Sequence, residues 1–135
     1  MGLSNDCEFS KNGIQQMDTN FVAMPKDANH YGNVHGGTIL QAIDNLAYTL
    51  ATQYSRMNVV TAKMSEVNFL KPVKTGNLVI LRASITRVGN SSMDIQICVQ
   101  GENLLGGDIF EVAQAKVVMV AVDLNGRPSP IPKLS

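Results

Sequence analysis

Between Ile39 and Ala51 the apolar residues fall at Ile39, Ile43, Leu46, Ala47, Leu50 and Ala51. Steps of three and four place them on one stripe of an α-helix, which Ala42 widens. Thr38 stands where the first turn should begin and the pattern fades near Tyr54. The spacing therefore predicts one helix of about five turns, at roughly 3.6 residues per turn. After it the period changes to two. Val60, Ala62 and Met64 alternate with polar residues, and Val67 and Phe69 continue in the opposite phase. A slip of that kind at Ser65-Glu66 predicts a β-bulge.

Lys71-Pro72-Val73-Lys74-Thr75-Gly76 is turn chemistry. Val79, Leu81, Ala83 and Ile85 then form the apolar face of one strand, and Met93, Ile95, Ile97 and Val99 that of the next. The short turn Gly89-Asn90-Ser91-Ser92 joins them into a hairpin. Ala113 to Val122 reads as a long strand, apolar on both faces from Val117 and so expected to be central. Upstream of the helix, Asn20 to Met24 is a short apolar run stopped by Pro25, and Lys26 to Gly37 is a loop rich in Asn, Gly, Asp and His. Residues 1–17 show no periodicity and read as an irregular lead-in to a single domain over residues 18–135, with a Pro-rich tail from Asp123. One apolar stripe on one long helix can be buried only on the antiparallel sheet. The fold class is α+β, a sheet wrapped around a single central helix.

Composition narrows the function. At 135 residues there is room for one core, and 44% hydrophobic residues suffice to build it. Eleven basic residues balance eleven acidic ones, so the chain lacks the positive excess that drives nucleic-acid binding. A local basic pocket for one small anion stays open. No apolar run is long enough to span a bilayer. Met1 to Gln16 is polar with both charge signs, so no secretory signal is expected. Cys7 and Cys98 lie far apart and outside any pairing motif, which predicts two reduced thiols and a cytoplasmic protein. With two His residues and no ligand cluster, neither a metal nor a bound organic cofactor is expected.

Three places carry candidate chemistry. Gly36 and Gly37 precede the helix, where backbone N–H groups have no intrahelical partner and the dipole is positive. Such groups bind an anion or a developing oxyanion; equally, two glycines serve to enter a helix. Asp44 lies off the apolar stripe, near Gln41 and Tyr48, and is the only charged residue between Ile39 and Thr52. A solvated face normally carries several charges. A carboxylate isolated in this way suits a general base or nucleophile, although a surface Asp is the commoner case. The turn Arg87-Val88-Gly89-Asn90-Ser91-Ser92 combines a cation, exposed N–H groups and two hydroxyls, a set able to hold phosphate or a pantetheine amide, or simply a polar hairpin turn. His35 reads as a turn residue whose ring bonds nearby backbone. No G-x-S-x-G elbow supports a serine nucleophile, and neither Cys has an adjacent base.

The stretch Asp27-Ala28-Asn29-His30-Tyr31-Gly32-Asn33-Val34-His35-Gly36-Gly37-Thr38 with Asp44, continued by Val59-Val60-Thr61-Ala62, Asn68-Phe69, Lys71-Pro72 and Val120 to Arg127, resembles the acyl-CoA hydrolases of the YciA and cytosolic acyl-CoA thioester hydrolase type. The resemblance covers roughly Val22 to Pro132. It implies the hotdog fold and hydrolysis of acyl-CoA to free acid and coenzyme A. Asp44 matches the helix acid acting as base or nucleophile. Gly36 and Gly37 match the glycines that polarise the thioester carbonyl. Asn29 matches the loop residue that places water or thioester opposite the Asp of a partner subunit. Arg87, Gly89, Asn90, Ser91 and Ser92 fall in the turn that contacts coenzyme A. His30 and Tyr31 stand where relatives often have small residues. The resemblance further implies a homo-oligomer, a dimer at least and commonly a trimer of dimers, as exposed sheet edges also favour. Two other readings stay open: a non-catalytic acyl-CoA sensor and a hotdog hydratase or dehydratase.

Overall fold

The computed structural model describes residues 14–132. Its elements run β1 (Gln15–Val22), a 3-10 turn (Pro25–Asp27), α1 (Gly36–Ser55), β2 (Asn58–Phe69), β3 (Leu78–Val88), β4 (Ser92–Glu102) and β5 (Ile109–Val122). The five strands form one antiparallel sheet in the order β1-β3-β4-β5-β2. Helix α1 carries the chain from the β1 edge to the β2 edge and touches all five strands. This is the expected α+β hotdog architecture.

The predicted stripe is the buried one: Ile39, Ile43, Leu46, Ala47, Leu50 and Ala51 are all in the core. Facing them are Val79, Leu81, Ala83 and Ile85 from β3, Met93, Ile95, Ile97 and Val99 from β4, and alternate residues Ala113 to Ala121 of β5. The β3–β4 hairpin closes through the Gly89 N–H donating to the Ser92 carbonyl at 2.7 Å. β5 is interior, between β4 and β2. The helix stops where Arg56 turns left-handed (φ 58°) and its N–H donates to the Thr52 carbonyl.

Three local expectations are revised. β1 begins at Gln15, five residues before the apolar run, because strand pairing with β3 starts at Gln15↔Ile85 whatever the side chains. Residues 1–13 of the expected lead-in, Cys7 among them, lie outside the described residues. The helix starts at Gly36, so the two glycines form its first turn rather than a turn ahead of it. In β2 the inward residue is Val59, while Val60 is 49% exposed. Thr61 follows Val59 on the inner side, opposite buried Met119. Register shifts at Thr61/Lys63 and Ser65/Asn68 then return Met64 and Val67 to the core. The second shift is the expected bulge, with Glu66 at φ 52°. Alternation alone put β2 in the wrong phase because a polar threonine occupies an inward position. As expected, the tail from Asp123 carries no strand or helix among the described residues, yet its backbone is tied to the rest of the chain. Ser129 N–H donates to the Ala121 carbonyl, Ile131 N–H donates to the Asn90 carbonyl, and Ile131 is buried.

Candidate active site

The loop ahead of the helix is tied down by its backbone. His35 N–H donates to the Asp27 carbonyl (2.9 Å), Val34 N–H to the Val73 carbonyl (2.7 Å) and Asn29 N–H to the Asn33 carbonyl (2.8 Å). Asp27 anchors the entry: its Oδ2 accepts the Met24 N–H at 3.0 Å and its Oδ1 accepts from Lys26 Nζ at 3.1 Å. The Met24 N–H, with help from the Lys26 ammonium, holds the Asp27 carboxyl below its ordinary value.

Asn29 sits inside this loop. Its Oδ1 accepts from Tyr31 N–H (2.9 Å) and Asn33 N–H (3.2 Å), the geometry by which Asn side chains brace turns. Oδ1 is thereby committed to the loop. The two Nδ2 protons have no partner among the described residues and remain able to donate.

Gly36 and Gly37 occupy the first two helical positions after His35. Their N–H groups also lack partners among the described residues, since the His35 carbonyl takes up Thr38 N–H and Ile39 N–H instead. Neither glycine has a positive φ, so conformational freedom does not explain them. A Cβ at Gly36 would approach Phe69 Cζ to 3.4 Å, whereas one at Gly37 would meet nothing within 4 Å. What the pair provides is an uncovered pair of donors at the positive end of a helix about 30 Å long. His35 contributes through its backbone as the N-cap, and its ring makes no capping bond.

Asp44 lies half-buried two turns further along. Thr61, projecting inward from β2, donates its hydroxyl proton to Asp44 Oδ1 at 2.6 Å. Hydrogen bonds to a carboxylate of this length are among the stronger ones. Thr61 was missed by sequence reasoning as a site residue. The available signal was a hydroxyl residue interrupting the β-branched run Val59-Val60, but its partner lies 17 residues away on another element.

One chain does not unite these groups. Eight residues separate Gly36 from Asp44, about 12 Å along the axis at roughly 1.5 Å per residue. A reacting carbonyl must lie about 3 Å from both its base and its oxyanion donors. Distance decides the matter: Asp44 and the Gly36/Gly37 donors of the same chain cannot serve the same carbonyl. The chain thus holds two separate groupings of candidate residues, the Asn29 loop leading into the glycine donors, and Asp44 with Thr61. The Arg87–Ser92 turn stands apart from both. Ser92 pairs with Val120, while Phe69, beside Gly36, pairs with Ala113. Seven residues of β5 separate these ends, about 23 Å at roughly 3.3 Å per residue. In the turn itself, Arg87 Nη1 is 3.8 Å from Asp94 Oδ2, and the Asn90 and Ser91 carbonyls accept backbone N–H groups from Ile131 and Ala121. A concavity of about 820 Å³, lined by Tyr48, Thr52, Arg56 and Leu124 among others, lies towards the helix C-terminus and away from the glycines. Among the described residues no His/Cys/Asp/Glu group could hold a metal, and no helix is long and apolar enough to cross a membrane.

Comparison with known proteins is consistent throughout. The family model of the thioesterase superfamily matches residues 31–106. The chain is 36% identical over 110 residues to YkhA of Bacillus subtilis, an uncharacterised acyl-CoA thioester hydrolase, covering 82% of this chain and 64% of that protein. It thus spans somewhat less than two thirds of that relative. It is 32% identical over 114 residues to the acyl-CoA thioester hydrolase YciA of Salmonella typhimurium, covering 82% of this chain and 86% of the relative. A hexameric acyl-CoA thioesterase superposes with a TM-score of 0.84 at 32% identity, over 89% of this chain and 77% of the other. The Staphylococcus aureus acyl-CoA hydrolase, solved with butyryl coenzyme A, coenzyme A and coenzyme A disulfide, superposes at 0.81 and 30% identity, over 89% and 73%. Variants of that hydrolase in which one Asn, one Asp or one Thr becomes alanine have also been solved. By family model, relatives and superposition alike, this chain belongs to the thioesterase superfamily.

Proposed function

We propose that the protein hydrolyses acyl-CoA thioesters to the free acid and coenzyme A, at sites built from two copies of the chain. The observation carrying this reading is the pair of half-sites. A two-fold axis beside the β2 edge would bring the Asp44–Thr61 pair of one chain to the Asn29 loop and glycine donors of another. β2 suits that role, since it is an edge strand with Val60 and Phe69 half exposed. In this arrangement the thioester oxygen accepts from Gly36 and Gly37 N–H, each such donor contributing about 3 kcal/mol to stabilising the oxyanion. Asn29 Nδ2 holds water or substrate. Asp44, oriented by Thr61, either takes a proton from water as it adds to the carbon or attacks the carbon itself to form an anhydride that water opens. Either way the C–S bond breaks and the thiolate leaves as coenzyme A and takes up a proton; the water oxygen enters the acid directly in the first route, and in the second it enters whichever anhydride carbonyl the water attacks. No metal or bound organic cofactor is needed for these steps.

The S. aureus variants support the assignment through spacing. Their altered Asn, Asp and Thr stand 15 and 17 residues apart, as do Asn29, Asp44 and Thr61 here. The Arg87–Ser92 turn of a neighbouring subunit is proposed to hold the distal part of coenzyme A. Assembly into a trimer of dimers, by analogy with the hexameric relative, and a cytoplasmic location belong to the same proposal. The test is thiol release from acyl-CoA by the wild type and by Asp44→Asn of unchanged oligomeric size. Full activity in the variant would remove Asp44 from the mechanism, and a wild type that releases no thiol would favour a sensor or hydratase.

A further inference from the structure

Asp27 is charged yet only 8% exposed, and its bonds run in two directions. Backward, its carboxylate Oδ2 accepts the Met24 N–H at 3.0 Å, the reach-back half of a capping box around the 3-10 turn. Met24 follows buried Ala23, whose N–H donates to the Asn77 carbonyl at 2.9 Å, so this end is held where β1 leaves the sheet. Forward, the Asp27 carbonyl accepts the His35 N–H at 2.9 Å. His35 is the N-cap of α1 and has no side-chain cap. This backbone bond, with the neighbouring one from Val34 to Val73, therefore locates the helix entrance. Between the two ends Ala28 bridges to Val34, and Asn29 follows. The Lys26 ammonium also reaches Oδ1, but its side chain is 79% exposed and such pairs contribute little.

A carboxylate that released Met24 would leave the 3-10 turn free to shift. Asn29, two residues on, would move with it, and so would the His35 N-cap and the Gly36/Gly37 N–H groups. Asp44 is held from elsewhere, by the buried stripe of α1 and by Thr61 of β2. Geometry at a reacting centre is exacting: a misplacement of about 1 Å can cost about 100-fold. We propose that Asp27 is a positioning residue, whose bond to Met24 aims the Asn29 amide and the glycine donors as one unit. This rests on the thioesterase reading above and goes beyond it in naming what aims the donor side of the site.

The experiment compares Asp27→Ala, Asp27→Asn and Asp27→Glu with the wild type by kcat, KM and melting, each assayed well below its melting temperature. Asp27→Ala should lower kcat by about 10- to 100-fold with KM changed less than about threefold, since oxyanion donors act on the transition state. Asp27→Asn keeps an oxygen for the Met24 N–H and should recover most of the rate. Asp27→Glu keeps the charge but moves that oxygen by a methylene; it should be slow, and it carries the same test if Asp27→Ala does not fold. Mixed dimers separate aim from general damage. Asp27→Ala paired with Asp44→Asn leaves one site free of defects and should give about half of wild-type activity. Paired with Asn29→Asp it leaves a defect in both sites and should stay near its parents. Wild-type kcat in Asp27→Ala would overturn the proposal, as would equal losses in Asp27→Ala and Asp27→Asn. So would no recovery with Asp44→Asn under conditions where Asn29→Asp and Asp44→Asn do complement each other. If the wild type releases no thiol, the hydrolase reading fails and takes this inference with it.

Discussion

The Thr61 hydroxyl lies 2.6 Å from Asp44 Oδ1 and ties the middle of the helix to the edge strand β2. A carboxylate can attack, or accept a proton, only along its lone-pair directions, so this bond fixes which oxygen is presented. A hydrogen bond to a charged group is worth about 1.5–3 kcal/mol. Thr61→Ala should accordingly lower kcat by roughly 10- to 100-fold with KM little altered, and Thr61→Ser should restore most of it. Steady-state kinetics on the two variants checks this; equal losses in both would mean that the hydroxyl is not what matters.

Asn29 separates brace from chemistry within one side chain. Asn29→Asp keeps the acceptor that holds Tyr31 N–H and Asn33 N–H but removes both Nδ2 protons. The variant should melt close to the wild type while kcat/KM falls by about 100-fold or more, the usual scale for losing a donor at the reacting centre. An active Asn29→Asp protein would reduce the residue to a loop brace.

Gly37 should show stability and activity moving in opposite directions. Within the chain its Cβ would touch nothing, and alanine favours helix over glycine by up to about 1 kcal/mol. Gly37→Ala should therefore melt at the same temperature or up to roughly 4 °C higher. The added methyl beside the donor should cost about 100-fold in kcat. Calorimetry and thiol release on one preparation give both values.

Asp27 predicts an acid limb in stability. Its folded-state carboxyl is held below its ordinary value, 3.8, by the Met24 N–H and Lys26. The sign is that of a depressed group: its contribution is complete above about 3.8 and is lost as pH falls through the lower folded value. Urea midpoints measured downward from about pH 7 should fall across that window, and more steeply for the wild type than for Asp27→Asn.

The sequence disclosed those parts of the fold that rest on apolar periodicity. The helix stripe from Ile39 to Ala51 and the alternation in β3 and β4 were legible because each buries one regular face. β2 was misread in phase because Thr61 points inward to meet Asp44, and bonding between distant polar residues leaves no trace in local pattern. β1 was placed short because Gln15 to Thr19 are held by pairing with β3 rather than by apolar content. Within the site, Asp44 could be suspected from its isolation on an uncharged helix. Asn29 was accessible only through resemblance, since nothing in Asn-rich loop chemistry distinguishes a ligand-facing amide from a turn brace. The separation of the Gly36/Gly37 donors from Asp44 by two helical turns is arithmetic on the sequence, yet it becomes decisive only once Gly36 proves to be the first helical residue.

Subunit mixing tests the shared site most directly. Asp44→Asn and Asn29→Asp chains, each inactive alone, are co-expressed with different tags and the doubly tagged assembly is isolated. Each mixed dimer has one site carrying both defects and one carrying none, so a random mixture should recover about a quarter of wild-type activity, and the purified mixed dimer about half. Mixed assemblies of correct size that stay as inactive as their parents would contradict a site formed between two chains.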